Sequence, residues 1–261
     1  MALLERMKTA GKSRGMAVFA SANAIRKYSM EELVELGVSW IWMGLESQSA
    51  GYAKLKGTDT HELTSELRKH GVRVQGSTII GLEHHTPEYI EDEMKQGRLL
   101  DGVDLADIPG QFQFNFKHTA ISQADSQRFL DWAFLRDFQR NGPSLYRMCR
   151  TMLEGWKRHR DYPDVRVRER FEREMSKLRI GYNAALWAME WQCREWNENV
   201  SSQIKVLRGE VDKECGFAAK LNARALGPRL LRTSRREERR LAKGESYEPP
   251  MYLERANWTT V

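Results

Sequence analysis

The sequence predicts an α/β fold in its first part and an all-α region after it, on the basis of three observations. Strand-like and helix-like segments alternate up to about residue 90, a pattern typical of parallel βαβ units. Apolar residues recur at helical spacing from Ser122 onward. Glycines stand where several of the predicted helices end. We therefore expect about three parallel βα units over residues 1–121, as part of a barrel or open sheet, and helices over residues 122–261.

The first two strands are short apolar runs that the pattern predicts to be buried. Met16–Ala20 is the first, and Val38–Met43 is the second, closed by Gly44. Between them Ser29 precedes Met-Glu-Glu, which predicts a helix that begins with a capping box and ends at Gly37. The order strand, helix, strand indicates a parallel pair joined by a crossover helix.

The third predicted βα unit shows the same order of helix cap, helix, glycine and strand. Asp59 or Thr60 caps a predicted helix that runs through His70 and ends at Gly71, and the β-branched run Val72–Ile80 is the third strand. Thr86-Pro87-Glu88 opens another helix, since proline suits the first helical position. No fourth βα unit is recognisable between Glu93 and His118. A parallel sheet of three strands exposes its edges, so we expect another part of the molecule to cover it.

The second half contains apolar stripes at spacings of three and four residues. The first stripe follows the helix-breaking pair Gly142-Pro143, the third ends at Gly216, and the charged, then proline-bearing stretch Arg232–Val261 is expected to wrap the surface or fray. The stripes consist of Leu145, Met148, Cys149, Met152, Leu153 and Trp156; of Leu178, Tyr182, Ala185, Met189, Cys193 and Trp196; and of Ile204, Leu207, Val211 and Cys215.

Composition argues against a membrane-spanning protein and against a nucleic-acid-binding protein. No apolar run is long enough to cross a membrane, and three widely spaced cysteines predict a reducing, cytoplasmic location. The basic excess lies after residue 121, with 28 basic against 20 acidic residues. Acidic residues alternate with basic ones in Arg166–Arg173 and Arg235–Arg240, which predicts solvated helix faces and argues against nucleic-acid binding.

Two loops at strand ends are candidate ligand sites. Gly44 and Glu46-Ser47 follow the second strand, where a glycine admits a ligand and a carboxylate suits an ammonium group. Ile79-Ile80-Gly81 ends the third strand, and His84-His85 after it suggest a metal; neighbours on an extended chain point apart, so we expect no metal site. The cysteines fall on apolar stripes and are expected to be core residues.

These loops and their surroundings resemble the radical S-adenosylmethionine (SAM) superfamily, in particular the branch with an N-terminal cobalamin-binding domain. The resemblance rests on GVSWIWMGLES, GVRVQGSTIIGLEHHTPE, DLADIPGQFQFNFKH and NGPSLYRMCRTMLEGWKR. It implies a partial (β/α) TIM-type barrel over residues 1–121. It also implies that Gly44, Glu46 and Ser47 line a SAM pocket, with Glu46 on the methionine ammonium, while Ile79, Ile80 and Gly81 contact adenine.

The departures from the family are as informative as the resemblance. The CxxxCxxC motif that holds the 4Fe-4S cluster is absent, as are the cobalamin domain and the sixth strand of the barrel, and His84 stands where the family has glycine or an acidic residue. We expect a truncated family member that is not catalytic alone. The alternatives are a non-catalytic subunit or remnant that self-associates or binds a partner protein through uncovered sheet edges, and a basic nucleic-acid-binding protein.

Overall fold

A computed structural model describes residues 2–44, 59–77 and 122–245. Within these ranges a small parallel sheet with its helices precedes a larger helical region, which confirms the mixed α/β class. The three described strands form an open sheet rather than a closed barrel. The helix predicted at Thr86 and the gap between Glu93 and His118 lie outside the described residues.

The sheet has the order β1-β2-β3, and both strand pairs are parallel. All three predicted strands are present, together with two short helices that the sequence pattern did not predict, α1 and α2. The elements in chain order are α1 (Ala2–Thr9), β1 (Met16–Phe19), α2 (Ala22–Ile25), α3 (Met30–Leu36), β2 (Val38–Gly44), α4 (Thr60–Lys69) and β3 (Arg73–Ser77).

Local capping chemistry sets the ends of the two crossover helices. Ser29 accepts a hydrogen bond from the backbone N–H of Glu32, whose carboxylate accepts one from the N–H of Ser29, so the predicted capping box is confirmed. Gly37 ends α3 with a φ of 89°. Asp59 caps α4 by accepting from two backbone N–H groups, and Gly71 turns the chain into β3 with a φ of 77°.

The helical region begins at Ser122, as predicted, and the Ser122 side chain caps its first helix. A break at Gly216, where φ is 73°, divides the last helix as the sequence indicated. Helix then resumes, so the expectation of a loose surface segment from Arg232 is wrong as far as Leu241. The helices are α5 (Gln123–Asn141), α6 (Ser144–His159), α7 (Val165–Lys177), a π-helical turn (Leu178–Tyr182), α8 (Asn183–Trp196) and α9 (Glu198–Leu241).

The three predicted stripes supply most of the helical core, with one slip of phase. The π-helical turn adds a residue to one turn, so the buried face of α8 passes to Leu186 instead of Ala185, and Trp196 remains half exposed. Cys149 and Cys193 are buried, and Cys215 packs partly against the same cluster, which confirms them as core residues. The buried cluster also includes Met152, Leu153, Trp156, Phe171, Met175, Leu178, Ile204, Leu207 and Val211.

The helical region contacts the sheet layer along a seam, which we define as the contact of α6 and α7 with α1, α3, α4 and β3. Gly71 and Gly155 meet there so closely that a Cβ on Gly155 would lie 2.5 Å from the Cα of Gly71. Phe171, fully buried, closes the same point of contact. The helical region therefore packs on the sheet layer, while β1 and β3 remain the outer strands among the described residues, so the expected cover of the sheet edges stays a prediction.

Arginines cross the seam, and this corrects the expectation of a solvated face over Arg166–Arg173. Arg170 is 4% exposed and donates from Nη1 to the carbonyl of Val34 at 2.9 Å. Arg166 is 5% exposed and donates to the carbonyl of Lys12 at 3.3 Å. Arg166 gives the carbonyl of Lys12 a partner, and Arg170 adds a second donor to the carbonyl of Val34, which also accepts from the backbone N–H of Gly37.

Candidate functional site

The carboxyl edge of the sheet is where parallel strands place ligand-binding loops. Phe19 at the end of β1 is in register with Trp42, and Gly44 at the end of β2 is in register with Ser77 at the end of β3. The backbone N–H of Ala20 also donates to the carbonyl of Trp42 at 3.1 Å, which holds the exit of β1 against β2. The three strands therefore end side by side at one edge.

Of the six residues expected to bind a ligand, Gly44 lies in the described part, at the carboxyl end of β2. Its strand partner Ser77 is two residues before Ile79 along the chain, so the two candidate loops depart from neighbouring strand ends. Glu46, Ser47, Ile79, Ile80 and Gly81 lie outside the described residues, as do His84 and His85.

One face of the sheet carries aromatic side chains that the sequence pattern did not single out. Phe19 is 80% exposed and stacks on Trp42 with ring centroids 5.3 Å apart and an interplanar angle of 23°. Trp40 is 40% exposed, and the guanidinium of Arg73 lies 5.9 Å from its ring centroid. We refer to Phe19, Trp40, Trp42 and Arg73 as the aromatic face.

The aromatic face corrects the expectation that β1 and β2 are buried strands. Ile41 and Met43 are fully buried against the helices, whereas Trp40 and Trp42 alternate with them and point to the opposite side. The signal was present in the sequence as an alternation of tryptophan with Ile and Met, but a continuous apolar run hides it. A flat aromatic ligand stacks well on a surface of this kind.

Two histidines that looked scattered in the sequence meet at the seam. His70 and His159 are each 3% exposed, and their ring centroids are 5.8 Å apart. Nδ1 of His70 is 2.9 Å from the carbonyl of Glu66, while neither ring nitrogen of His159 has a hydrogen-bond partner among the described residues. The His159 ring instead stacks on Phe171 at 4.6 Å.

Burial, together with the charges of His70 and Arg170, lowers the pKa of His159 to about 4. The imidazole is therefore neutral at pH 7. Two imidazoles fall short of the three or four protein ligands that a zinc site uses, and the described ranges contain no group of three or more metal-ligating side chains. We interpret the pair as part of the seam rather than as a metal centre.

The environment of the three cysteines does not fit an iron–sulfur cluster. Burial raises the pKa of Cys149 to about 12 and that of Cys193 to about 11, and it also raises the pKa of Cys215. Cluster ligands are thiolates, and burial among the apolar side chains of the helical core disfavours the thiolate form of all three. The three cysteines therefore fit a role as core residues better than a role as cluster ligands.

Comparison with known proteins adds no relative to this picture. No protein-family model, no curated protein and no solved structure matches the chain. Among the helices of residues 2–44, 59–77 and 122–245, none combines the length and the apolar character needed to cross a membrane. The features of the described residues that bear on function are the carboxyl edge, the aromatic face and the surface charges.

Proposed function

We propose that this chain is a derivative of the radical SAM family that binds SAM at the carboxyl edge of its sheet and does not catalyse a reaction alone. The observation that carries the proposal is the register of Gly44 with Ser77, because the loops that follow these residues carry the family-like motifs. In this proposal the sheet is a remnant of a TIM-type barrel.

The proposal assigns a role to each candidate residue on the basis of the resemblance. Glu46 accepts hydrogen bonds from the methionine ammonium, with Gly44 and Ser47 in the same loop. Ile79, Ile80 and Gly81 offer backbone groups to the adenine. An intact family member would add a 4Fe-4S cluster that supplies the electron for SAM cleavage, and in this branch a cobalamin; the cysteines of this chain do not fit the cluster, so binding without cleavage is proposed.

Equilibrium dialysis with radiolabelled SAM tests the binding. We expect Glu46→Gln to weaken binding about 10-fold or more, because a hydrogen bond to a charged group contributes about 1.5–3 kcal/mol. Glu62→Gln removes an exposed carboxylate from α4 and is the matched control, with unchanged binding expected. Absence of SAM binding by the wild-type chain at millimolar concentration would refute the proposal.

Catalysis is tested separately by anaerobic reconstitution with iron and sulfide, followed by iron counting, EPR after reduction and chromatography for 5′-deoxyadenosine. We expect no cluster and no 5′-deoxyadenosine. Formation of 5′-deoxyadenosine by the pure chain would show that it is an enzyme and that our interpretation of Cys149, Cys193 and Cys215 is wrong.

A second candidate function, a non-catalytic subunit that self-associates, is favoured by the aromatic face. Exposed aromatic rings beside the outer strands β1 and β3 offer both an apolar surface and strand edges that are unpaired within the described residues. Sedimentation equilibrium should then show a dimer that Phe19→Ser converts to a monomer. A wild-type monomer at high protein concentration would exclude this candidate.

A further inference from the structure

The last part of α9, residues 217–241, concentrates the charge of the protein. It contains eight basic and two acidic side chains, a net charge of +6 that equals the formal net charge of the whole chain. All other residues together therefore sum to zero. The basic character of the whole chain is therefore concentrated in this one helical segment.

One side of this segment is occupied by α8. A Cβ on Gly227 would lie 2.5 Å from the Trp187 ring, and Ser234 donates to the side-chain carbonyl of Gln192 at 2.6 Å. Arg235 forms an ion pair with Glu195 on the same side. This inner side fixes the orientation of the segment about its own axis.

The opposite side is a stripe of arginines. Arg229, Arg232, Arg236 and Arg239 are three, four and three residues apart, which places them on one face of a helix, and all four are exposed. None of the four has an ion-pair partner in the part of the chain that the structure describes. We call these four residues the arginine stripe; it runs along about 15 Å of helix.

The acidic residues that alternate with arginine in the sequence form no ion pair with the stripe among the described residues. Glu237 lies 3.3 Å from Arg240 in an ion pair, and Glu238 accepts from the amide of Gln192 at 3.4 Å on the inner side. Both carboxylates in Arg235–Arg240 are engaged by side chains outside the stripe, so the mixture of signs in the sequence does not neutralise these four arginines.

We propose that the arginine stripe binds the phosphate backbone of a nucleic-acid duplex without sequence specificity, independently of the SAM site. Arginine presents a planar fork that suits phosphate oxygens, and regularly spaced phosphates match a row of guanidinium groups. A lipid surface fits less well. An interfacial helix buries in the lipid the side opposite its cationic side, and here that side, at Gly227 and Ser234, is already packed on α8.

Fluorescence anisotropy with a labelled 20-base-pair duplex tests the proposal. We compare the wild type with the quadruple variant Arg229→Gln, Arg232→Gln, Arg236→Gln, Arg239→Gln. The matched control removes the same charge from exposed lysines elsewhere, as Lys12→Gln, Lys27→Gln, Lys205→Gln, Lys213→Gln. Circular dichroism verifies that both variants keep the helical content of the wild type, as expected for exposed positions.

We expect the wild type to bind with a plot of log K against log salt whose slope is about −3 to −4, as four phosphate contacts predict. The stripe variant should lose about 10-fold or more in affinity near 100 mM salt and most of that slope, and the control should lose about 3-fold or less. Duplex DNA and duplex RNA of the same sequence are measured in parallel, and binding of either supports the proposal.

Three outcomes would overturn the proposal. The first is equal loss in the stripe variant and the control, which would reduce the effect to net charge. The second is absence of binding, or binding that does not respond to salt. The third is binding of vesicles containing phosphatidylserine with no binding of either duplex, which would assign the stripe to a membrane surface.

Discussion

The core of the helical region and the seam that joins it to the sheet layer are built from different chemistry. The core buries aliphatic, aromatic and sulfur-containing side chains, such as Met152, Leu153 and Cys149, that need no partner. The seam buries His159, Arg166 and Arg170, which carry polar groups into the interior. An apolar core responds to volume alone, whereas a polar seam also responds to pH and to the loss of single partners.

Removal of the Phe171 side chain should have the largest effect on stability, because this side chain belongs both to the helical core and to the seam. It lies in the helical core and also closes the contact between Gly71 and Gly155. We expect Phe171→Ala to lower the free energy of unfolding by about 3–5 kcal/mol. Urea denaturation measures it, with Val206→Ala, an exposed position on α9, as a control within about 0.5 kcal/mol. A loss below 1 kcal/mol would contradict this view of the seam.

Acidification should weaken the seam through His159. The folded protein holds the pKa of His159 at about 4, below its ordinary value of 6.5, so the unfolded chain binds more protons between these values. The stability that His159 contributes as a neutral group is thus fully present above about pH 7 and is lost as pH falls towards 4. At pH 5 the free energy of unfolding has decreased by about 2 kcal/mol through this group.

The variant His159→Phe removes the titrating group without breaking a described hydrogen bond, since neither ring nitrogen has a partner among the described residues. We expect its free energy of unfolding to fall by about 2 kcal/mol less than that of the wild type between pH 7.5 and pH 5. His61→Asn, at an exposed position on α4, should retain the wild-type profile. If the free energy of unfolding depended on pH in the same way in His159→Phe and in the wild type, His159 would not be the group that weakens the seam in acid.

Substitution of Gly155 tests how closely the two sides of the seam approach each other. A Cβ on Gly155 would also lie 2.7 Å from Phe171, so we expect Gly155→Ala to destabilise by about 1–3 kcal/mol. Gly209, on α9, has open space around the same position, and Gly209→Ala should instead stabilise by about 0.5–1 kcal/mol. Thermal unfolding of the two variants should therefore shift in opposite directions; shifts of the same sign would contradict the close approach.

The smallest expected effect concerns a single hydrogen bond across the seam. The hydroxyl of Tyr162 donates to Glu35 at 3.1 Å, and Lys8 forms an ion pair with the same carboxylate at 2.8 Å. We expect Tyr162→Phe to cost about 1 kcal/mol in urea denaturation, and Tyr28→Phe, on the surface, to cost almost nothing. Equal effects would mean that the hydroxyl contributes nothing across the seam.

Much of the local structure could be predicted because its causes lie within one turn of helix. Ser29 and Asp59 cap helices as expected, and Gly37 and Gly71 end them with positive φ. Capping depends on residues no more than three or four positions away, so the sequence displays it directly. The candidate ligand site is different. Gly44 takes the expected place at a strand end, and the roles of Glu46, Ser47, Ile79, Ile80 and Gly81 stay predictions.

The sequence by itself determined the type of each described element except α1, α2, the π-helical turn and the end of α9 from Arg232 to Leu241, and it identified the three cysteines as core residues. Only the tertiary structure decided which charges are buried and which are exposed. Arg170 is buried because it meets a carbonyl 136 positions away, and Arg236 is exposed because α8 occupies the other side of its helix. Periodicity in the sequence shows which residues share a helix face, whereas burial or exposure of that face depends on which element packs against it.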